Sequence, residues 1–487
     1  MILKHSSTGN WLVAGAFAAA SYLYPGLEWM LIVSLVLFLG AWMNAPSLKA
    51  VIGGALLYGV AKAAGSIAWF FNVYPLDWLG VERGVGQIAA IGVYWFSVAF
   101  VIGVGFTVVF ALIWRVIYTP ILRAWLFPLW LLCAELVGAL LFSLFSLGPG
   151  SDPNIYFSFG FSGYALPFPW FIEYATIYGA FGLTVVAGIL AVLIYGFIFD
   201  HFKAYGLRLQ AALVLVLVVF APILLFEDPE QKNDDRSIIV VETNFPRSFN
   251  YEEGAADEKR AIIQSAVDEA LTHEPDIIIL PEDARYVSNF FSPEAALNQL
   301  AEKAATSTIL IDSARTELPG GRVVTRAYIL DTGAMSVSTA DKQYLVPHGE
   351  FMPYLSQFVL DRFGRAEIAN QLETELEFTP GEAVTVSPHP NLGVLFCAES
   401  VMPVGVRNIT TQKNIDLIAH PVSHGWFNDA TMLEPQLDRM LLTQAMWNDI
   451  AIAQAGNQTG SKIYSPNGIT SPLNSLDREQ YRLQFMQ

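Results

Sequence analysis

The chain has 487 residues, of which 54% are hydrophobic and only 15% are charged, and this composition excludes an ordinary soluble protein. A break falls near Phe226: residues 1–226 hold eight Lys and Arg and seven Asp and Glu, whereas the remaining 19 and 37 follow it. The second part is therefore acidic and lacks the basic face that nucleic-acid binding requires. Cys133 and Cys397 lie on opposite sides of the break, which excludes a disulfide framework and a cysteine-rich metal site.

Apolar runs in residues 1–226 predict a multi-span α-helical membrane domain with about seven helices. Five runs reach the ~20 residues that a membrane-crossing helix needs. The first two are shorter and predict a tight hairpin; the first could alternatively be a cleaved signal peptide. The runs lie near residues 10–24, 29–43, 50–72, 87–113, 125–147, 170–199 and 207–226.

The distribution of positive charge between the runs predicts the orientation of the chain. One set of connections carries six lysines and arginines, and the opposite set carries only Arg83. Because cytoplasmic connections are enriched in such residues, the N-terminus is predicted to be cytoplasmic and the acidic part extracytoplasmic. The six residues are Lys4, Lys49, Arg115, Arg123, Lys203 and Arg208.

Two ionisable residues, Lys62 and Glu135, fall inside predicted spans. Both lie at similar depth, and a charge buried in lipid requires a partner, so we expect the two to form an ion pair. Small residues at 59–65 would permit close approach of the helices. The pair is interpreted as structural, with a direct role in substrate handling as the alternative.

After a charged linker at 227–236, residues 237–487 alternate short β-rich runs with helical patterns. Helices are predicted at roughly 251–272, 293–304 and 433–448. This alternation predicts a layered α/β domain. A hairpin turn is predicted at 331–333, and the last predicted strand is 450–454. Strands are predicted near 237–242, 276–280, 308–311, 323–330, 337–339, 392–397, 416–420 and 450–454.

Three polar residues stand where predicted strands end: Glu282, Lys342 and Cys397. A rigid strand end is a common place to position a reactive group. A thiol is nucleophilic as thiolate, a poorly solvated carboxylate can take its proton, and an ammonium group can stabilise an oxyanion. Each residue alone has an ordinary structural explanation, as a small buried thiol or as a surface charge.

The sequence segments around these residues favour the chemical interpretation. Leu280-Pro281-Glu282, the segment 342–350 (KQYLVPHGE) and Cys397-Ala398-Glu399 follow the order and spacing of the carbon–nitrogen hydrolase (nitrilase-like) superfamily. With its multi-span first half, the whole chain resembles the apolipoprotein N-acyltransferase family of the bacterial envelope. The resemblance implies a membrane domain at 1–226 and a catalytic domain at 237–487 with a nitrilase-like α-β-β-α sandwich.

The resemblance also implies residue roles. Glu282 would be the general base, Lys342 the oxyanion stabiliser and Cys397 the acylated nucleophile. Glu350 and Glu399 match two accessory carboxylates near the thiol, or alternatively serve as hydrogen-bonding scaffold residues.

The implied reaction moves an acyl chain from a glycerophospholipid, through a Cys397 thioester, to the α-amino group of a lipoprotein's diacylglyceryl-cysteine. It implies no cofactor, and the sequence shows no metal-ligand cluster. The bilayer and both substrates would be partners in the bacterial inner membrane. The alternatives are a membrane-tethered amidase for small C–N substrates and a non-catalytic envelope protein.

Aromatic side chains near the predicted site suggest a membrane-facing lip that keeps water from a thioester. They lie in the segments 286–291 and 351–359, with ordinary core packing as the alternative. The candidate residues are Phe290, Phe291, Phe351, Tyr354 and Trp426.

Three features depart from the family pattern. Ala398 and His348 stand where aromatic residues are usual, and 463–487 is polar where a final span is common. His348 is expected to make a local hydrogen bond or to act as a pH-sensitive modifier.

Overall fold

A computed structural model shows a helical first half and an α/β second half. It describes residues 8–76, 83–166, 171–198, 236–246, 254–364, 378–381, 391–412, 415–427, 431–470 and 474–486.

Apolar helices form the first half, as the composition predicts. Among the described residues, four of them (α3, α4, α6 and α7) are long and apolar enough to cross a membrane, so the chain is a membrane protein. The predicted seventh span, 207–226, lies outside the described residues. The helices are α1 Thr8–Leu23, α2 Met30–Met43, α3 Leu48–Ser66, α4 Val85–Val116, α5 Pro120–Trp125, α6 Phe127–Phe145 and α7 Gly179–Ile198.

The two short helices, α1 and α2, pack against each other as the predicted hairpin. The Ser34 hydroxyl donates to the Ala14 carbonyl at 2.7 Å. The rings of Trp11 and Phe38 meet edge to face with their centroids 5.3 Å apart. The earlier residue of α1, Trp11, thus lies beside the later residue of α2, Phe38. The two helices therefore run antiparallel.

Glycines allow the membrane helices to approach closely. A Cβ on Gly59 would lie 2.8 Å from the Cα of Gly103, and one on Gly105 would lie 2.4 Å from the backbone nitrogen of Gly138. A side chain at these positions would force the backbones of α3, α4 and α6 apart, which is why small residues favour such contacts. The expected close approach around Lys62 is confirmed.

The predicted ion pair between Lys62 and Glu135 is present, with Nζ and Oε1 2.8 Å apart and both side chains buried. The Lys62 ammonium also donates to the Gly160 carbonyl. Glu135 accepts from the Ser162 amide and hydroxyl at 2.8 and 2.6 Å, and from the Thr184 hydroxyl at 3.0 Å. These contacts join α3, α6, α7 and the loop 157–165, which favours the structural interpretation.

The second half contains twelve described strands connected in one hydrogen-bonded network. They are β1 Ile238–Thr243, β2 Ile277–Ile279, β3 Ile309–Leu318, β4 Arg322–Asp331, β5 Ser336–Asp341, β6 Leu392–Val394, β7 Leu417–Ser423, β8 Ala451–Asn457, β9 Lys462–Ser465, β10 Gly468–Thr470, β11 Asn474–Asp477 and β12 Tyr481–Met486. The helices are α8 Ala255–Leu271, α9 Pro293–Lys303, α10 Tyr354–Arg362, α11 Gly405–Thr410 and α12 Glu434–Asn448.

Alternating side chains divide this domain into four layers. Ile239 and Val241 of β1 pack with the apolar faces of α8 and α9, whereas Ile238 and Val240 pack against β6, β7 and β8. The other face of β7, at Ile418, packs with α11 and α12. Both strand layers are therefore covered on both sides, and the predicted α-β-β-α sandwich is confirmed.

The prediction that the strand set ends at 450–454 is wrong, because β9 to β12 follow. β12 pairs antiparallel with β1 along its whole length, from Ile238 opposite Met486 to Thr243 opposite Tyr481. The polar residues of this region lie largely on exposed strand faces, so the segment has no continuous apolar run. The pairing also joins distant parts of the chain, which local periodicity cannot reveal.

Hydrogen bonds connect the α/β domain to the membrane helices. The Gln436 side chain on α12 donates to the Ser66 carbonyl at the end of α3, at 3.0 Å. The Ser158 hydroxyl donates to the Val401 carbonyl at 2.5 Å. Val401 ends a short 3₁₀ helix that begins at Cys397, so the loop 157–165 joins the buried Lys62–Glu135 pair to the thiol-bearing turn.

Replacing Lys62 by Met is expected to destabilise the protein by about 3–5 kcal/mol, because it leaves the Glu135 carboxylate buried without its cation. The double variant Lys62→Met/Glu135→Gln should recover part of that loss, since no buried charge remains. The measurement is the unfolding temperature of the detergent-solubilised protein. The matched control is Lys49→Met, which removes an exposed lysine. Equal unfolding temperatures for Lys62→Met and Lys49→Met would contradict the expected role of the pair.

Candidate active site

The structure brings together the three polar residues that follow predicted strands. Glu282 lies just beyond β2, Lys342 directly follows β5, and Cys397 lies just beyond β6, where it begins the 3₁₀ helix Cys397–Val401. Glu350 joins them from the segment before α10. The four side chains form one cluster at the strand ends.

A buried ammonium group lies at the centre of the cluster. The Lys342 Nζ donates to Glu282 Oε1 at 3.0 Å and to Glu350 Oε1 at 2.8 Å. Only 2% of the Lys342 side chain is exposed. Burial alone would lower the pKa of Lys342, but the two carboxylates raise it well above its usual value. The ammonium therefore stays charged at every physiological pH.

The Cys397 thiol lies between this cluster and the end of β7. Its sulfur is 3.7 Å from the Ser423 carbonyl oxygen, and its side chain is within hydrogen-bonding reach of Glu282. Burial, and then the negative charge of Glu282, raises the pKa of Cys397, while Lys342 opposes the increase. The resting thiol is therefore protonated and requires a base before it can act as a nucleophile.

Glu282 has the properties of such a base. Burial raises the pKa of its carboxyl group, the Lys342 ammonium opposes this, and the negative charge of Glu350 adds to the increase. A carboxylate with a raised pKa accepts a proton more readily than one exposed to water. The interaction of Glu282 with the Cys397 side chain gives that proton a path.

The backbone after Glu282 is strained and strongly constrained. Asp283 and Arg285 have φ angles of 60° and 63°, which are uncommon for residues with side chains. The Asp283 amide donates to the Ser313 hydroxyl at 2.9 Å, and the Arg285 amide donates to the Ser313 carbonyl at 3.1 Å. The Arg285 guanidinium also binds both carboxylate oxygens of Asp283 at 2.7 Å. These bonds fix the backbone that directly follows Glu282.

Glu399 holds two loops together and does not contact Lys342 in the described hydrogen bonds. One carboxylate oxygen accepts from the amides of Gln343 and Tyr344 at 2.7 and 3.2 Å, and the other accepts from the Phe396 amide at 2.9 Å. Burial raises the pKa of Glu399, and these amides oppose the increase. The predicted accessory carboxylates therefore differ: Glu350 contacts the ammonium, whereas Glu399 fixes the loops that carry Lys342 and Cys397.

A cavity of about 70 Å³ opens beside the cluster. Glu282, Glu350 and Trp426 line it, so the structure places Trp426 at the site. Asn457 also lines the cavity. Its side-chain oxygen accepts from the Phe245 amide at 2.7 Å, and its side-chain nitrogen donates to the Ser423 hydroxyl at 3.0 Å. Asn457 was not predicted as a site residue, because its contacts with Phe245 and Ser423 join segments far apart in the chain.

The predicted lip is partly wrong. Phe351 is buried, because it packs on Gly148 and Gly150, where an added Cβ would lie within 2.8 Å of its ring. Phe290 is partly buried against the layer of α8 and α9. Only Phe291 and Tyr354 are exposed, and Phe291 is fully so.

In the second predicted lip segment, 351–359, exposed apolar residues concentrate on α10 and continue just beyond it. None of the residues of α10 is buried, although the helix carries several apolar side chains. This surface, which we call the α10 apolar face, consists of Tyr354, Leu355, Phe358, Val359 and Phe363. Apolar surface of this kind marks an interaction site for lipid or protein.

His348 makes the expected local hydrogen bond: its Nε2 lies 2.7 Å from the Ser356 hydroxyl of α10. Its ring also meets Tyr94 of α4 with centroids 4.6 Å apart. Burial lowers the pKa of His348 to about 4, so the ring is neutral at physiological pH.

Comparison with known proteins agrees with this architecture. Residues 253–483 match the model of the carbon-nitrogen hydrolase family. The chain is 26% identical over 326 residues to an apolipoprotein N-acyltransferase of Rhodopseudomonas palustris, covering 63% of this chain and 59% of the relative. It is 25% identical over 344 residues to one of Brucella suis, covering 66% and 61%. The predicted resemblance to the apolipoprotein N-acyltransferase family is confirmed.

This chain thus spans 59% and 61% of the lengths of these two curated relatives. Solved structures match about half of the chain. An amidase from Nesterenkonia sp. is 19% identical, covers 52% of this chain and 90% of its own, and has a TM-score of 0.35. A carbon-nitrogen hydrolase from Helicobacter pylori is 13% identical, covers 51% and 88%, and has a TM-score of 0.36.

Proposed function

We propose that this protein is an apolipoprotein N-acyltransferase, which moves an acyl chain from a glycerophospholipid to a lipoprotein through a thioester on Cys397. The observation that carries the proposal is the cluster of Cys397, Glu282, Lys342 and Glu350 in a domain joined directly to membrane helices. The two relatives are apolipoprotein N-acyltransferases, which supports the same reaction.

In the first half-reaction, Glu282 takes the Cys397 proton while the sulfur attacks an ester carbonyl of the phospholipid. A C–S bond forms, and the Lys342 ammonium stabilises the negative charge that develops on the carbonyl oxygen. The ester C–O bond then breaks, and the leaving alkoxide takes the proton back from Glu282. The products are a lysophospholipid and the acylated thiol.

In the second half-reaction, the free α-amino group of a diacylglyceryl-cysteine attacks the thioester carbonyl. A C–N bond forms, the C–S bond breaks, and Glu282 passes a proton from the amine to the departing sulfur. The product is an N-acylated lipoprotein, and the enzyme returns to its starting state. No oxidant, reductant or external base is needed.

We place the α/β domain, residues 237–487, on the extracytoplasmic side of the bacterial inner membrane. The excess of Lys and Arg on the connections that share a side with the N-terminus supports this orientation. Both substrates are held in a lipid leaflet, so a catalytic domain fixed to membrane helices can meet them without extracting them. The α10 apolar face is suited to contact that leaflet beside the site.

The experiment that tests the proposal is turnover with both substrates. Purified protein in detergent is mixed with phosphatidylethanolamine and a diacylglyceryl-cysteine peptide, and lysophospholipid and N-acyl peptide are measured by mass spectrometry. Equal amounts of both products are expected, with a loss of at least about 10³-fold in Cys397→Ala, because no thioester can form.

The matched control is Cys133→Ala, which removes the thiol outside the site. Release of free fatty acid with no N-acyl peptide would instead indicate a hydrolase, and turnover in folded Cys397→Ala would exclude the thioester route.

The pH dependence of Cys397 acylation is expected to report Glu282. The carboxylate must be ionised to accept the thiol proton, so the rate falls as pH drops through the Glu282 pKa. Burial raises that pKa, so the acid limb should lie above the ordinary glutamate value of about 4.3. Glu350→Gln should shift the limb to lower pH, because it removes a neighbouring negative charge.

The measurement is the nitrophenol burst from p-nitrophenyl butyrate between about pH 4 and 8, a range that brackets this limb. The control is Glu294→Gln, which removes an exposed carboxylate on α9. An acid limb that stays in place in Glu350→Gln would contradict the assignment of Glu282 as base.

A further inference from the structure

Two cationic side chains share the cavity with the catalytic cluster. Lys259 projects from α8 and Arg315 from β3, and both line the cavity together with Glu282 and Glu350. Lys259 is 91% buried, whereas Arg315 is exposed at the rim. One cation therefore lies inside the cavity and the other at its opening.

The acidic groups around the cavity are already engaged by other cations. Glu282 and Glu350 both bind the Lys342 ammonium. Asp283 receives two hydrogen bonds of 2.7 Å from Arg285, and it also forms an ion pair with Lys259, whose Nζ lies 3.6 Å from its Oδ2.

Aromatic rings also contact the two cations. The Lys259 ammonium lies 5.7 Å from the centroid of the Phe245 ring, and the Arg315 guanidinium lies 4.9 Å from that of Phe378. Such contacts hold a cation in place and leave its hydrogen-bond donors available to a ligand. Together with Lys342 and Arg285, which bind the carboxylates, four described cations surround three carboxylates at this cavity, in a chain whose net charge is −17.

We infer that Lys259 and Arg315 form a subsite for the phosphodiester group of the acyl donor. This inference rests on the proposed function, which places the acyl ester of a glycerophospholipid at Cys397. In that class of lipid only a few covalent bonds separate the ester carbonyl from the phosphate, so a cation pair in the same cavity can bind the phosphate. Guanidinium and ammonium groups both form strong, charge-assisted hydrogen bonds with phosphate oxygens.

The test compares two acyl donors that differ in having a phosphate. Full-length protein in detergent is acylated with phosphatidylethanolamine or with p-nitrophenyl butyrate, and the rate of Cys397 acylation is followed by intact mass. In Lys259→Gln and Arg315→Gln, the ratio of the phospholipid rate to the nitrophenyl ester rate should fall about 10-fold or more. The matched control is Lys303→Gln, which removes a cation paired with Asp268 on the same domain.

A soluble headgroup separates this inference from the proposed function. In the wild type, glycerophosphoethanolamine should inhibit acylation by p-nitrophenyl butyrate, and Arg315→Gln should weaken that inhibition. Inhibition without any acylation by phospholipid would support the subsite and overturn the proposed acyl donor. If inorganic phosphate inhibits as strongly as the headgroup, the site binds free phosphate and the assignment to a lipid is wrong.

An unchanged ratio of rates in the exposed Arg315→Gln variant, together with unchanged inhibition, would overturn the subsite. This variant decides the question even if Lys259→Gln lowers the unfolding temperature, because Arg315 is exposed and its replacement removes no buried charge.

Discussion

The site depends on one buried ammonium group held between two carboxylates. Lys342 could not be buried alone, because an ion without partners in a protein interior costs several kcal/mol. Glu282 and Glu350 supply its hydrogen bonds, and in doing so they fix the ends of β2 and β5 and the segment before α10 relative to one another. The same charge balance leaves the Cys397 thiol protonated and Glu282 able to accept its proton, so stability and reactivity arise from a single arrangement.

A second buried ion pair, between Lys62 and Glu135, organises the contact between the two halves. Through Ser162 it holds the loop 157–165, whose Ser158 hydroxyl binds the carbonyl at the end of the Cys397–Val401 helix. The thiol-bearing turn is therefore attached to the membrane helices by a short chain of hydrogen bonds. A catalytic domain mounted in this way keeps its nucleophile at a constant position relative to the bilayer, which suits substrates that remain in the membrane.

The parts of the structure that local patterns determine could be predicted from the sequence. Glu282 and Cys397 were predictable because each follows an apolar strand, and Lys342 because it begins the segment 342–350. Lys62 and Glu135 were predictable because similar depth in neighbouring spans favours pairing. The burial of Phe351 was not predictable, since it depends on Gly148 and Gly150 from a distant loop. β12 and the convergence of Lys259 with Arg315 were missed for the same reason: each arises from tertiary contacts between segments far apart in the chain.

The most direct test of the central claim is the mass of the protein after incubation with a phospholipid of defined acyl chains. The expected result is an added mass of one acyl group, located on the peptide that contains Cys397 and removed by a diacylglyceryl-cysteine peptide. Glu282→Gln should slow its formation, because the thiol then lacks its base. A folded, membrane-inserted protein that gains no acyl group, or gains it at a residue other than Cys397, would contradict the claim.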